Sequence, residues 1–131
     1  MNVKTDTKEK FHVITIGETN MAANMTAELA QSLRSYLDKR VKNVVLNAKD
    51  IENLSDAAAE TIVKIQQEFY EQNASFIVCS LRTSVSQGLD DAGLLELMHV
   101  TPTESEAGDI IQLEEIEREL ADSDDPAFDV G

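Results

Sequence analysis

Two short apolar runs with a helical pattern between them limit what this chain can fold into. The first run covers residues 44–46, and the second covers residues 76–79 of a strand predicted over 76–81. Uninterrupted apolar runs of this length are typical of interior strands that are covered on both faces of a sheet. Between them, a helix is predicted over about 55–72, with Asn73 as its stop. A strand, a helix and a strand in this order favour parallel pairing of the two strands.

Patterns nearer the amino terminus predict two further strands and another helix. Residues 3–7 and 11–16 favour two β segments joined by a short charged turn. Apolar residues recur at spacings of three and four over about 25–40, which predicts a first helix. Asn24 is a candidate N-cap for this helix, because Asn is a favoured residue at that position.

Patterns nearer the carboxyl terminus predict two more helices and an edge strand. Val85 and Leu89 indicate a short third helix that closes at Gly93. Residues 99–103 favour an edge strand that is interrupted by Pro102. A last amphipathic helix is predicted from the positions Ile110, Leu113, Ile116, Glu117 and Leu120.

Together these elements predict an α/β fold in a single domain, with a mixed sheet of four to five strands packed with about four helices. The domain is expected over residues 1–120, and residues 121–131 are expected to form an acidic disordered tail. A chain of 131 residues fits one domain, and an aromatic content of 5% leaves aliphatic side chains to fill the core.

The single cysteine and the absence of long apolar stretches bear on where the protein works. Cys79 lies inside an apolar run and has no intrachain partner, so it is expected to be a small buried hydrophobe. The amino terminus lacks the pattern of a secretory signal, and no apolar stretch approaches the roughly 18 to 20 residues of a membrane span. We therefore expect a cytoplasmic protein without membrane insertion.

Negative charge is concentrated at one end of the chain. The formal net charge is −14, and residues 104–131 contain eleven acids and a single base, Arg118. Such a charge repels phosphate backbones and anionic lipid head groups, so we expect neither nucleic-acid binding nor binding to a membrane surface. A basic protein partner remains compatible with it.

Signatures of catalysis are scarce, and we expect no catalytic residues, no cofactor and no metal. The five glycines are scattered, which excludes a dinucleotide-binding glycine cluster and a phosphate-cradling loop. His12 and His99 lack the spacing of a zinc site and are expected to be ordinary strand residues. The only thiol lies inside a predicted strand, where burial raises a cysteine pKa and weakens the nucleophile.

Several short motifs in the order described above resemble those of the STAS domain family, which is named for sulfate transporters and anti-sigma factor antagonists. The similarity covers roughly residues 3–120. The matching segments are Gly17-Glu18-Thr19-Asn20 before the first helix, the strand Val44-Val45-Leu46-Asn47, the helix opening Ser55-Asp56-Ala57-Ala58, the strand Phe76–Leu81 and the pair Gly93-Leu94.

The resemblance to anti-sigma factor antagonists implies a regulatory binding module that is not an enzyme. In that family, the helix-opening motif resembles Asp-Ser-Ser-Gly, and its first serine is phosphorylated by an anti-sigma kinase. The unphosphorylated form binds that kinase and thereby frees the sigma factor. This chain has Asp56 at the matching position, and its neighbours Ser55, Ala57 and Ala58 also depart from the motif. Phosphorylation of a serine hydroxyl is therefore impossible at the usual position.

Two hypotheses account for Asp56. A carboxylate at a helix N-terminus is favoured by about 0.3 to 1 kcal/mol, so Asp56 supplies negative charge where a phosphate would lie and holds a phospho-like state. It is an incomplete mimic, because a phosphoserine carries about −1.5 to −2. Alternatively, regulation has moved to Ser55, which becomes a possible phosphosite. A simpler interpretation is that both residues only cap the helix.

Loops after parallel strands gather at one edge of a sheet, which places Asn20 and Asn53 near this helix start as candidate partner-binding residues. The alternative is that both are ordinary turn residues. The expected partner is a protein, namely an anti-sigma factor kinase or a related signalling protein. One alternative function is a STAS subunit of an anion or lipid transport system, and another is an enzyme on a flavodoxin-like sheet.

Overall fold

The computed structural model describes residues 1–122, and its strands account for the apolar runs of the sequence. The strands are β1 (Val3–Thr7), β2 (His12–Ile16), β3 (Asn20–Met21), β4 (Val44–Asn47), β5 (Asn53–Leu54), β6 (Phe76–Cys79) and β7 (Val100–Thr101). Five of them form one sheet in the order β1-β2-β4-β6-β7. β1 pairs antiparallel with β2, and the remaining pairs are parallel. The predicted mixed sheet is confirmed.

Helices cover both faces of this sheet. They are α1 (Thr26–Arg34), α2 (Asp56–Glu71), α3 (Thr83–Asp91) and α4 (Glu104–Asp122). Successive side chains of a strand point to opposite faces, so each face has its own core. Val44 and Leu46 of β4 pack with residues of α1, α2 and α3, whereas Val45 packs with α4. The predicted α/β class with four helices is confirmed.

The predicted helix over 25–40 is shorter in the structure, and Asn24 is not its N-cap. Asn24 lies inside a 3-10 turn over Ala23–Met25, so it precedes the position from which a side chain could cap α1. Met25 occupies the N-cap position and makes no side-chain capping bond. After Arg34 the chain continues as a second 3-10 turn, Ser35–Asp38, which keeps Leu37 buried.

The end of α2 follows the prediction at Asn73. Asn73 has a φ of 60°, a left-handed conformation that Asn tolerates better than most residues. Its N–H donates to the carbonyl of Tyr70, and the N–H of Ala74 donates to the carbonyl of Phe69. These two bonds are those of a Schellman motif, which satisfies carbonyl groups in the last turn of a helix.

The packing face of α4 differs from the predicted amphipathic face. Ala107 and Ile111 are fully buried against the sheet, whereas Leu113, Ile116 and Leu120 are more than half exposed. The physical reason is that β2, β4 and β6 present apolar side chains that bury Ala107 and Ile111, while Glu114, Glu115 and Arg118 bond to Asn43 and Ser75 just before β4 and β6. α4 includes residues 121 and 122, and the rest of the acidic tail predicted over 121–131 lies outside the described residues.

No helix within residues 1–122 is both long and apolar enough to cross a membrane.

Candidate functional site

Two very short strands bring Asn20 and Asn53 together at the carboxyl ends of β2 and β4. β3 and β5 pair parallel to each other in a small second sheet, with Asn20 opposite Asn53. The side-chain Nδ2 of Asn53 donates to Oδ1 of Asn20 over 2.6 Å. Both side chains are exposed. Each strand has only two residues, which is too short to produce a periodic pattern in the sequence.

Ser55 follows β5 and caps α2. Its extended backbone, with φ of −67° and ψ of 154°, is typical of an N-cap residue. The Ser55 Oγ accepts a hydrogen bond from the N–H of Ala58 over 3.1 Å. The Ser55 N–H in turn donates to the carbonyl of Met21 over 2.9 Å, which ties the helix start to β3. The Ser55 side chain is half-buried, and its oxygen is occupied as a cap.

Asp56 is the first residue of α2, and its side chain is exposed. A helix N-terminus carries about half a positive charge and several N–H groups without partners inside the helix. The carboxylate of Asp56 therefore lies in a favourable field without being buried. Ala57 is exposed beside it, and Ala58 is fully buried and directs the first turn onto the core.

The start of α2 forms one wall of an open cleft of about 440 Å³. Asn20, Asn53, Ser55 and Asp56 all line this cleft, so the structure brings these four candidate residues together. The other lining residues are Met21, Ala22, Glu52, Leu54, Ser84, Val85, Gly88 and Leu89. The cleft therefore has an apolar floor and a polar rim.

The α3 wall of the cleft was not among the residues that the sequence indicated. Ser84, Val85, Gly88 and Leu89 come from α3, which follows β6. β6 is a parallel neighbour of β4, so the segment after it must start at the same edge of the sheet. This topological argument could have identified α3 once parallel pairing of the two apolar runs was assumed.

The electrostatic character of the cleft is acidic. Among the described residues that line it, Glu52 and Asp56 carry carboxylates and none is a Lys or Arg. Both carboxylates are exposed. A partner surface with positive charge would be attracted to this rim, and one with negative charge would be repelled.

Groups with chemical reactivity lie elsewhere in the described part of the chain. Cys79 is buried in β6, and desolvation raises the pKa of its thiol, so it is a weak nucleophile there. His12 bonds the Thr7 hydroxyl and the Val41 carbonyl, and His99 bonds the Tyr70 hydroxyl. Residues 1–122 contain no group of three or more His, Cys, Asp or Glu side chains placed to hold a metal ion.

A mixed five-stranded sheet with three helices on one face and one on the other, and with a cleft at the ends of its parallel strands, defines a small α/β domain. The model of one particular family, the STAS domain, matches residues 2–107. The chain belongs to this family. No curated protein sequence is significantly similar to it.

Solved structures with the same fold include anti-sigma factor antagonists. A Thermotoga maritima protein described in this way is 16% identical, with a TM-score of 0.69 over 84% of this chain and 94% of that chain. An anti-sigma factor antagonist from Mycobacterium paratuberculosis is 12% identical, with a TM-score of 0.72 over 85% of this chain and 93% of that chain. At these identities the similarity shows a shared fold.

The fold also occurs inside a much larger transport protein. The murine anion transporter Slc26a9 matches with 13% identity and a TM-score of 0.66, over 79% of this chain and 18% of that chain. The same architecture is therefore found both in proteins described as anti-sigma factor antagonists and as one part of a transporter.

Proposed function

We propose that this protein is a non-enzymatic regulatory binding module that docks a protein partner through the cleft at the start of α2. The proposed partner is a kinase-like anti-sigma factor or a related signalling protein, and the proposed location is the cytoplasm. The observation that carries the proposal is the exposed carboxylate of Asp56, which lies on a rim shared with Asn20, Asn53 and Ser55. Family membership and the fold of the neighbouring structures support a regulatory role.

Asp56 gives this surface a permanent negative charge. A serine in its place would be neutral until phosphorylated, whereas an aspartate carries one charge at neutral pH without any modification. The module would then remain in one binding state unless a second site is modified. In this proposal the partner binds the charged rim without transferring a phosphate to residue 56.

Ser55 is the second site at which regulation is proposed. Its Oγ already accepts a hydrogen bond from the N–H of Ala58, so a phosphate on that oxygen would lie at the same helix N-terminus. The positive end of the helix dipole would stabilise this phosphate. It would also place about −1.5 to −2 of charge next to the carboxylate of Asp56. Phosphorylation of Ser55 is therefore expected to change the charge of the rim while keeping the helix start intact.

The test compares the wild-type chain with Asp56→Asn and Asp56→Ser as baits for affinity capture from native lysate. The proposal predicts that a kinase-like anti-sigma factor is retained by the wild type and weakened by Asp56→Asn, because the charge is lost with little change in shape. Intact-mass analysis of the same baits detects phosphate. We expect Asp56→Ser to gain one phosphate if the partner is a kinase of the usual type.

Glu60→Gln provides the matched control, since Glu60 is an exposed acid one turn further along α2. This variant removes the same charge from the same helix and should leave capture unchanged. Equal capture by all four baits would exclude Asp56 from the contact. A phosphate found on Ser55 of the wild-type bait would instead favour regulation by phosphorylation of Ser55.

A second candidate function is supported by the occurrence of the fold in the murine anion transporter. In that case the chain would serve as the STAS subunit of an anion or lipid transport system, and its captured partner would be a permease or a transport ATPase. The same capture experiment distinguishes the two functions, because the identity of the retained protein differs between them.

A further inference from the structure

The outer side of α4 presents apolar side chains to solvent. Leu113 is 58% exposed and Ile116 is 53% exposed, although Ala107 and Ile111 of the same helix are fully buried. Large aliphatic side chains exposed together on one helix face are unusual for a surface that contacts only water. We call the exposed residues Glu106, Asp109, Leu113, Ile116 and Glu117 the outer face of α4.

Acidic residues share this outer face with the apolar ones. Residues spaced by four or seven along a helix lie on the same side, and these spacings place Glu106, Asp109 and Glu117 in one row with Leu113. All three carboxylates are exposed. The outer face therefore combines an apolar centre with a purely negative border.

The single base of α4 does not neutralise that border. Arg118 is turned toward the sheet, where its guanidinium donates to Glu115 over 2.8 Å and to the Ser75 hydroxyl over 2.6 Å. Its side chain is only 22% exposed. The positive charge of α4 is thus used in holding the helix to the sheet, and the outer face keeps its full negative charge.

We propose that the outer face of α4 is a second docking surface, which binds a basic amphipathic helix of a protein partner. Leucine-like residues of that helix would cover Leu113 and Ile116, and its flanking Lys or Arg residues would lie near Glu106, Asp109 and Glu117. A second copy of this chain is a poor occupant, because two such faces would bring like charges together. The surface lies on the opposite face of the sheet from α2 and α3, so it is independent of the cleft.

The experiment measures binding of a fluorescently labelled amphipathic peptide of leucine and lysine to the full chain by fluorescence anisotropy. A peptide with glutamate in place of lysine and a peptide with serine in place of leucine serve as reference probes. We expect only the leucine and lysine peptide to bind. The double variant Leu113→Gln/Ile116→Gln, which leaves the charge unchanged, should raise its Kd by about tenfold or more.

The charged border is tested separately with Glu106→Gln/Asp109→Asn/Glu117→Gln, which should also raise the Kd by about tenfold. Its matched control is Asp90→Asn/Asp91→Asn/Glu96→Gln, because these three acids are also exposed but lie on and after α3. We expect the control to change the Kd by less than about threefold, so that a local effect is separated from the general attraction of an acidic protein. All substituted positions are on the surface, where such changes rarely unfold a domain.

Three outcomes would overturn this proposal. An equal loss of affinity in the control triple variant would reduce the binding to nonspecific charge attraction. Dimers in sedimentation equilibrium that dissociate in the Leu113→Gln/Ile116→Gln variant would assign the outer face to a second copy of the chain. Peptide binding that is observed only after deletion of residues 123–131 would assign it to the chain's own carboxyl end.

Discussion

Ser55 and Asp56 are adjacent but have different roles at the start of α2. The Ser55 oxygen is bonded to the N–H of Ala58 and stabilises the helix, whereas the Asp56 carboxylate is exposed and available for contact. Stability and binding should therefore respond to different substitutions. Loss of the Ser55 oxygen should act mainly on folding, and loss of the Asp56 charge should act mainly on the partner.

Ser55→Ala is expected to lower the free energy of unfolding by about 1 kcal/mol, because the N–H of Ala58 loses its acceptor. Ser55→Thr keeps a hydroxyl oxygen and should recover most of that loss. Urea denaturation followed by far-UV circular dichroism measures both variants. If Ser55→Ala were as stable as the wild type, the capping bond would contribute nothing measurable.

The hydroxyl of Tyr70 makes the stability of the protein depend on pH. Burial and, after it, the hydrogen bond that Tyr70 donates to Glu114 raise the pKa of the Tyr70 hydroxyl above its ordinary value near 10. A raised pKa in the folded state means that the unfolded state releases the proton first as the pH rises. Tyr70 therefore contributes stability that is complete below about pH 10 and is lost progressively above it.

In Tyr70→Phe this contribution is absent, so the stability of the variant should fall less steeply between about pH 9 and pH 11 than that of the wild type. Urea denaturation at several pH values measures the slope. Tyr36→Phe, at the only other tyrosine of the sequence, is the control and should keep the steeper slope. Parallel slopes for the wild type and Tyr70→Phe would contradict the raised pKa.

At the residue scale, the sequence located the helix start at Ser55 or Asp56 because capping residues before an apolar face are a local signal. The bond between Asn20 and Asn53 could not be predicted in the same way. It depends on two loops that are 33 positions apart in sequence meeting as a pair of two-residue strands. Only the general gathering of loops at one sheet edge was predictable.

At the scale of elements, α4 is held to the sheet by polar bonds as well as by its small apolar face. Ser75, at the amino end of β6, donates its hydroxyl to Glu114 over 2.5 Å. Asn43, just before β4, donates from Nδ2 to Glu115 over 2.9 Å and accepts the N–H of Ser75 over 2.7 Å. This network joins two strands and a helix through buried or half-buried groups, so the loss of one member should be costly.

Asn43→Ala is expected to destabilise the protein by about 1 to 3 kcal/mol, because the buried N–H of Ser75 and the carboxylate of Glu115 each lose a partner. Asn43 is only 5% exposed, which leaves little room for water to replace it. Urea denaturation measures the change, with Gln112→Ala, an exposed substitution on α4, as the control. A loss below about 0.5 kcal/mol would show that the network does not anchor α4.

The existence of α4 was predictable, but its packing face was not. Large aliphatic residues at Leu113, Ile116 and Leu120 dominate the helical pattern, whereas the residues that are buried include the small Ala107. Besides Ala107 and Ile111, the inward face carries Glu114, Glu115 and Arg118, which bond to Asn43 and Ser75 just before β4 and β6, and these partners are distant in sequence. Periodicity alone carries no information about such long-range bonds.

At the scale of the whole molecule, charge is unevenly distributed over a fold that is otherwise ordinary. The chain carries a formal net charge of −14, and α4 alone has eight acids and one base. Ion pairs between separate helices are few in the described residues. One such pair joins Arg34 of α1 to Glu68 of α2, with 2.7 Å between Nε and Oε2. An exposed pair of this kind contributes at most about 1 kcal/mol, so mutual repulsion among the acids should dominate the response to salt.

Added NaCl should therefore stabilise the protein. Between about 10 mM and 150 mM salt the screening length falls from about 30 to about 8 Å, which weakens repulsion between carboxylates on different elements more than it weakens contacts within an ion pair. Urea denaturation, with choline chloride as a second salt, separates this screening from specific binding of sodium. A free energy of unfolding that fell with salt would mean that pairs such as Arg34 with Glu68 outweigh the repulsion among the acids.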